Sequence, residues 1–260
     1  MDQSLSDRIA IVTGASAGIG RSIASDLARR GASVVINARR EVPLHKLAES
    51  INTELARDAM VCHPGDASRL ATVHALLDRA EDHFGRPADL AVVNAGRGLA
   101  GSVMTSDPAH WEEMVETNLL GAARFMREAG ERMVNAAAQE TWPGTPRDIV
   151  VLGSTVGRHI SPFSSMYGAT KFGVHALAEA QRRELGPKGV RVSLIEPGIV
   201  KSEFQAVAGY DKKSFGELMD KFSPVLEPDD IARTIAFICA QPAGVHVCDV
   251  MIRGTRQDYP

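Results

Sequence analysis

Residues 9–20 read IAIVTGASAGIG, a short apolar run that ends in a glycine-rich turn and opens into a helical pattern. The run Ile9 to Thr13 is β-branched and continuously apolar, as a strand buried on both faces must be. Glycines at positions 14, 18 and 20 permit a tight turn, close approach of the backbone to a ligand, and close packing of helix on sheet. The first turn of a helix presents unpaired N–H groups and a partial positive charge, which suit a pyrophosphate. A glycine pattern alone says little, but a strand before it and a helix after it supply the context that a dinucleotide-binding turn requires. Gly14, Ser16, Gly18, Ile19 and Gly20 are therefore expected to contact a cofactor.

Outward from this turn, the chain repeats the same rhythm. Apolar runs at 9–13, 33–37, 59–63, 90–94, 149–152, 190–195 and 245–252 alternate with helical patterns at 19–30, 43–57, 67–84, 108–135, 165–186 and 228–240. Strand–helix alternation implies parallel strands joined by crossover helices, an α/β fold with helices on both faces of one sheet. No composition break resembles a linker, so residues 1–260 read as a single domain. Two segments break the rhythm: 140–147 (ETWPGTPR), a proline-containing surface turn, and the stretch after Pro197, about 199–226, which carries Phe204, Tyr210, Phe215 and Phe222 among polar residues.

Composition narrows the function classes. Hydrophobic residues make up 44% and charged residues 23%, ordinary for a soluble globular protein. A net charge of −3 gives no reason to expect nucleic acid or an anionic membrane as partner. The chain lacks the run of about 18 apolar residues that a membrane-spanning helix needs. The polar start of the chain leaves no room for a signal peptide before the first strand. Cys62, Cys239 and Cys248 show no metal-ligand spacing and sit in apolar stretches, so buried reduced thiols and a cytoplasmic location are expected. The eight histidines share no ligand spacing either, and no metal is expected.

The end of the second strand reads Asn37-Ala38-Arg39-Arg40. An acidic residue there would bind the adenosine ribose hydroxyls of NAD. A guanidinium can instead hold a 2′-phosphate through charge-assisted, often bidentate bonds. NADP(H) is therefore expected over NAD(H), with Arg39 and Arg40 as phosphate contacts; the alternative is that both are solvated charges before a helix.

Further along stand Asn94-Ala95-Gly96, Asn118 within TNLLG, Ser154 within LGST, Tyr167-Gly-Ala-Thr-Lys171, and Pro197-Gly198. With the TGxxxGxG spacing of the first turn, their order and separation make the chain resemble the classical short-chain dehydrogenases/reductases over nearly its whole length. Two positions depart from the family's habit: Val93 stands where asparagine is usual, and Ser202 where threonine is common. The resemblance implies a Rossmann-type doubly wound fold with seven parallel strands in the order 3-2-1-4-5-6-7, and a homotetramer or homodimer. It also implies that Asp66 and Ala67 meet the adenine, that Asn94, Ala95 and Gly96 lie beneath the ribose, and that Pro197, Gly198, Ile199 and Ser202 border the nicotinamide. Asp66 can equally cap the helix expected from residue 67. The tail MIRGTRQDYP looks like that of bacterial members that reduce small polar ketones, aldehydes or semialdehydes.

The residues suit hydride chemistry. Transfer to a carbonyl leaves negative charge on oxygen, so a nearby acid and a polar clamp are needed. Tyr167 and Lys171 lie four apart on one helical face, and the lysine charge, together with an oxidised nicotinamide, should favour the phenolate. In the family, Ser154 holds the substrate oxygen, Tyr167 transfers the proton, Lys171 also binds the nicotinamide ribose, and Asn118 supports a water behind the lysine. Asn118 can also be a helix residue bonded to backbone. His159, Met104, Phe163 and Met166 are candidates for the substrate pocket, and 199–226 for a mobile lid or a subunit interface. The leading function is an NADP(H)-linked oxidoreductase acting on a small-molecule carbonyl or secondary alcohol. A cofactor-binding regulatory protein without turnover, and an isomerase or lyase on the same site, are the competing classes.

Overall fold

The computed structural model describes residues 4–259. Strands β1 (Ile9–Thr13), β2 (Ser33–Asn37), β3 (Met60–Cys62), β4 (Leu90–Val93), β5 (Asp148–Leu152), β6 (Arg191–Pro197) and β7 (Asp249–Ile252) form one sheet in the order 3-2-1-4-5-6-7. Every pairing is parallel. The order reverses between β1 and β4, and in open α/β sheets that switch point opens a crevice at the carboxyl ends of the strands.

The helices are α1 (Gly18–Arg29), α2 (Glu41–Leu55), α3 (Leu70–Phe84), α4 (Trp111–Val115), α5 (Ala122–Ala137), α6 (Ser165–Leu185), α7 (Phe204–Ala208), α8 (Lys212–Phe222) and α9 (Pro228–Cys239). Alternate strand residues feed two cores. Ala10, Val12, Val34, Ile36, Val92 and Val150 pack with Ile23 and Leu27 of α1, Leu44 of α2 and Ile235 of α9. Their neighbours Ile11, Val35, Ala91, Val93, Ile149 and Val151 pack with Leu76 of α3, Phe125 of α5 and Val174 of α6. Successive side chains of a strand point to opposite faces, so the continuous apolar runs were the sequence signature of a sheet covered twice.

At the opposite edge from the crevice, Arg8 bonds Asp89 (2.6 Å) and Asp148 (2.8 Å), and Arg191 grips Asp148 with two nitrogens at 2.8 Å. This buried cluster staples the starts of the central strands. A buried carboxylate is tolerated only when paired in this way.

Several expected boundaries move, each for a local reason. The last strand was expected over 245–252 but begins at Asp249. Before it, the Val245 and Val247 carbonyls accept from the side chains of Arg191 and Ser193 instead of joining the ladder. The third helix starts at Leu70 rather than 67, because Asp66 Oδ1 accepts the Ser68 N–H (3.0 Å) and holds that segment as a turn. The Asp66 carboxylate therefore shapes the approach to α3 without capping it. The helix expected over 108–135 is interrupted: α4 runs into a π-helical turn over Glu116–Gly121 before α5. Such turns recur at functional sites, and this one contains Asn118. The stretch after Pro197 that breaks the strand–helix rhythm holds α7 and α8; Phe215, Leu218 and Phe222 have helical spacing along α8. Cys239 is buried as expected, whereas Cys62 and Cys248 are half-buried; all three are free thiols.

Candidate active site

The glycine turn that opens the chain also builds the floor of the crevice. Gly14 and Gly18 take φ of 69° and 53°, in the left-handed region that favours glycine. At Gly20 a Cβ would fall 2.4 Å from the Gly14 carbonyl oxygen, so helix and turn touch only because no side chain intervenes. No side chain caps α1 at Ala17, which leaves the first-turn N–H groups facing outward for a ligand. Asn94 braces the turn from β4: its Nδ2 donates to the carbonyls of Thr13 (2.9 Å) and Gly14 (3.3 Å). From β2, Asn37 Nδ2 donates to His63 O (2.9 Å), tying the turns after β2 and β3 together.

A cleft of about 860 Å³ lies above these turns. Every residue expected to contact the cofactor lines it: Gly14, Ser16, Gly18, Ile19, Gly20, Arg39, Arg40, Asp66, Ala67, Asn94, Ala95, Gly96, Tyr167, Lys171, Pro197, Gly198, Ile199 and Ser202. A narrow glycine-walled floor, an uncapped helix start and a basic rim fit a dinucleotide. Arg40 reaches back to the turn, donating to Ser16 Oγ from Nε (3.2 Å) and Nη2 (3.1 Å), with Glu203 Oε2 on its other side at 3.3 Å. Arg39 leans away toward Glu113 (3.2 Å), which Arg97 also binds. The two arginines thus differ: Arg40 stands over the helix start, and Arg39 over a carboxylate.

Three of the four expected catalytic residues, Ser154, Tyr167 and Lys171, line the cleft together. Ser154 follows β5, and Tyr167 and Lys171 project from the first turns of α6. The Tyr167 phenol faces the same cleft as the Ser154 side chain, which favours its ionised form, and its ring tilts against Phe204 with centroids 5.5 Å apart. Lys171 Nζ donates to Leu152 O at 2.6 Å and lies 5.9 Å from the centre of the Tyr167 ring.

Burial sets the protonation of this pair through the protein's own groups. It pushes the Tyr167 phenol above its ordinary value, against the opposing pull of the Ser154 side chain. Lys171 does not overcome this, because burial lowers the lysine itself from 10.5 to about 8. The chain's own residues therefore hold Tyr167 as a neutral phenol, ready to donate.

Asn118 does not line the cleft. Its Oδ1 accepts the Arg97 N–H and its Nδ2 donates to the Arg97 carbonyl, both at 2.8 Å, and Nδ2 also reaches Thr170 Oγ1 at 3.2 Å. It bonds to backbone, as the plainer reading held, and it links the turn after β4 to the residue preceding Lys171. Of the pocket candidates, only Phe163 lines the cleft. His159 and Met104 are exposed, Met104 at 90%, while Met166 packs beside Tyr167 and Trp111.

Other residues of the site carry no sequence motif. Behind Ser154, His175 Nε2 accepts the Ser154 N–H (3.2 Å). Its Nδ1 lies 4.0 Å from Glu196, which is fully buried and gripped by Arg158 through two bonds of 2.8 and 2.5 Å. Burial pushes His175 down to about 4 despite Glu196, so the ring is neutral and Nδ1 carries the proton. Gly157 packs on this ring, where a Cβ would sit 2.4 Å from Nε2. From the tail, Gln257 Oε1 accepts the Ile199 N–H (2.9 Å) and fixes the Pro197–Gly198–Ile199 turn, and Tyr259 Oη donates to Ile160 O (2.7 Å). Tyr210 of the α7–α8 segment adds a second phenol to the cleft lining. Only the three-dimensional return of the tail and of α7–α8 brings these groups in.

Among the described residues no helix is long and apolar enough to cross a membrane, and no three His, Cys, Asp or Glu side chains group as metal ligands. A family profile described as short chain dehydrogenase matches residues 8–213. An uncharacterized oxidoreductase of Staphylococcus epidermidis is 30% identical over 247 residues, covering 95% of this chain and 97% of its own. An alcohol dehydrogenase from the archaeon Thermococcus sibiricus, complexed with 5-hydroxy-NADP, superposes with a TM-score of 0.81 at 27% identity, covering 97% of this chain and 99% of its own. A 3-ketoacyl-(acyl-carrier-protein) reductase from Brucella melitensis, complexed with NADH, gives 0.85 at 27% identity with the same coverage. With its glycine spacing, its sheet order and its Ser154, Tyr167 and Lys171, the chain belongs to the classical short-chain dehydrogenase/reductase family of oxidoreductases.

Proposed function

We propose that the protein is an NADP(H)-dependent oxidoreductase acting on the carbonyl or secondary alcohol carbon of a small molecule, with Tyr167 as general acid and base. The observation that carries this reading is the Ser154–Tyr167 hydroxyl pair above the buried Lys171, at the mouth of a glycine-walled dinucleotide cleft. When bound, the nicotinamide supplies or accepts the hydride. The first-turn N–H groups of α1 and the turn Gly14–Gly20 would hold the pyrophosphate. Arg40 and Ser16 would take the 2′-phosphate, and Lys171 and the Pro197–Ile199 turn would border the nicotinamide ribose and ring.

In the reductive direction Ser154 Oγ donates a hydrogen bond to the carbonyl oxygen, and Tyr167 Oη gives it a proton as charge builds there. A phenol that burial holds neutral is the form this step consumes. Lys171, near the pH at which an ammonium gives up its proton, can then return a proton to the tyrosine from solvent. Both relatives compared at 27% identity carry nicotinamide dinucleotides, one an NADP derivative and one NADH, which supports the cofactor class; the preference for NADP(H) rests on Arg40. The same reading carries a single domain over residues 1–260, a lid over 199–226, a homo-oligomer and a cytoplasmic setting.

The test is NADPH consumption against a panel of ketones and aldehydes, with Tyr167→Phe alongside. Turnover should fall by about a hundredfold or more in the variant, while NADPH binding, followed by fluorescence, is retained. A chain that binds NADPH yet consumes none with any carbonyl would instead be a cofactor-binding regulator. Equal turnover by Tyr167→Phe would remove the tyrosine from the mechanism.

A further inference from the structure

Beyond the Ser154–Tyr167 pair, the cleft runs into a compartment built from three elements: the loop after β5, α7 and α8. Its walls are Phe163, Phe204, Val207, Phe215 and Leu218, with the Tyr210 ring 5.4 Å from that of Phe215. Phe163 and Val207 are each 67% exposed although they line this concavity. Large apolar side chains turned toward a cleft, rather than into a core, are the usual lining of a ligand pocket. They lie close to the reacting pair, since Phe204 touches Tyr167 and the Tyr210 phenol is near enough to influence the Tyr167 phenol electrostatically.

The polar groups at this end are neutral hydroxyls: Ser161, Ser164 and Tyr210. The charged groups of the cleft are committed elsewhere. Arg40 and Glu203 pair with one another, and Arg39 and Arg97 share Glu113, at the dinucleotide end. Lys171 is buried and bonded to Leu152 O. Asp211, the one ionic side chain of α7–α8 that lines the compartment among the described residues, spends Oδ1 on the Ser214 N–H (2.9 Å) and hydroxyl (2.7 Å) at the start of α8. A substrate carboxylate or phosphate seated here would meet hydrocarbon and an aspartate, with no cation to offset its desolvation.

We propose that the substrate is a neutral carbonyl compound or alcohol whose larger substituent is apolar, an aryl group seated against Phe163, Phe204, Val207 and Leu218. This rests on the oxidoreductase reading above and replaces the small polar carbonyl suggested by the tail sequence. The ring would stack on aromatic side chains while the carbonyl oxygen reaches Ser154 and Tyr167.

The test compares acetophenone with 4-acetylbenzoate, which share the ring and methyl ketone and differ by a carboxylate on the end of the ring that enters the compartment. Calorimetric binding to the full chain saturated with NADP⁺ avoids any dependence on turnover. Acetophenone should bind at least about tenfold more tightly. Val207→Arg, on the exposed wall of α7, should narrow or invert that ratio by giving the carboxylate a partner. Equal or tighter binding of 4-acetylbenzoate to the starting protein, or binding of neither compound, overturns the proposal. NADPH consumption on acetophenone is scored separately: selective binding without turnover keeps the apolar site and leaves the oxidoreductase reading to the carbonyl panel above.

Discussion

Replacing Lys171 by methionine should make the cofactor-free protein more stable while destroying the site. Lys171 is 7% exposed, its Nζ donates to the Leu152 carbonyl at 2.6 Å, and burial lowers it from 10.5 to about 8. That drop corresponds to a penalty of about 3 kcal/mol for keeping the ammonium charged in the folded state at neutral pH. Methionine fills similar volume without a charge. Loss of the bond to Leu152 O gives back about 1 kcal/mol, leaving a net gain of about 2 kcal/mol. For a chain of this size that raises Tm by roughly 4 °C or slightly more. The sign with pH follows from proton linkage. Below about 8 the lysine is protonated in both states and the penalty is complete. Between about 8 and 10.5 the unfolded chain holds the proton and the folded chain releases it, so the starting protein gains stability as pH rises. The advantage of Lys171→Met should therefore shrink from pH 7 to pH 10. Calorimetric scans of both cofactor-free proteins at the two pH values measure it. A variant that melts below the starting protein at pH 7, or a difference that does not change with pH, would refute the claim that burial governs this lysine.

Two other outcomes follow from the geometry. Arg40→Ala should lower the ratio of kcat/KM for NADPH over NADH by about tenfold or more, the weight of a charge-assisted bond. Arg39→Ala, which removes a partner of Glu113, should change the ratio less; the reverse order would move the phosphate site to Arg39. Gly157→Ala should lower Tm and kcat together, because its Cβ would land on the His175 ring. His175→Ala should relieve part of that loss, so the double variant is less destabilised than the sum of the singles; strict additivity would show that the contact does not matter.

How much of this was legible beforehand depended on whether a feature is local. The turn TGASAGIG, the strand runs and the Tyr167–Lys171 spacing are short-range patterns, fixed by backbone sterics and helical period. From them came the α/β class, and the family resemblance added the strand order and the placing of Ser154, Tyr167 and Lys171. Asn118 was found by motif, but not its partners, because a side-chain amide can satisfy backbone in many ways. The helices α7 and α8 are not legible in the sequence because their polar residues dilute a helical stripe that only packing against the cleft reveals.

The sequence alone determined that a glycine-walled turn would meet a helix start and, separately, that a tyrosine and a lysine would share one helical face, since each of those arrangements is enforced within a few residues of chain. Tertiary structure decided the charge state of the phenol and ammonium, the brace of His175, Glu196 and Arg158 behind Ser154, and the apolar compartment under α7–α8. Those properties depend on desolvation and on partners brought from distant parts of the chain, and burial is a property of the packed molecule that no local spacing encodes.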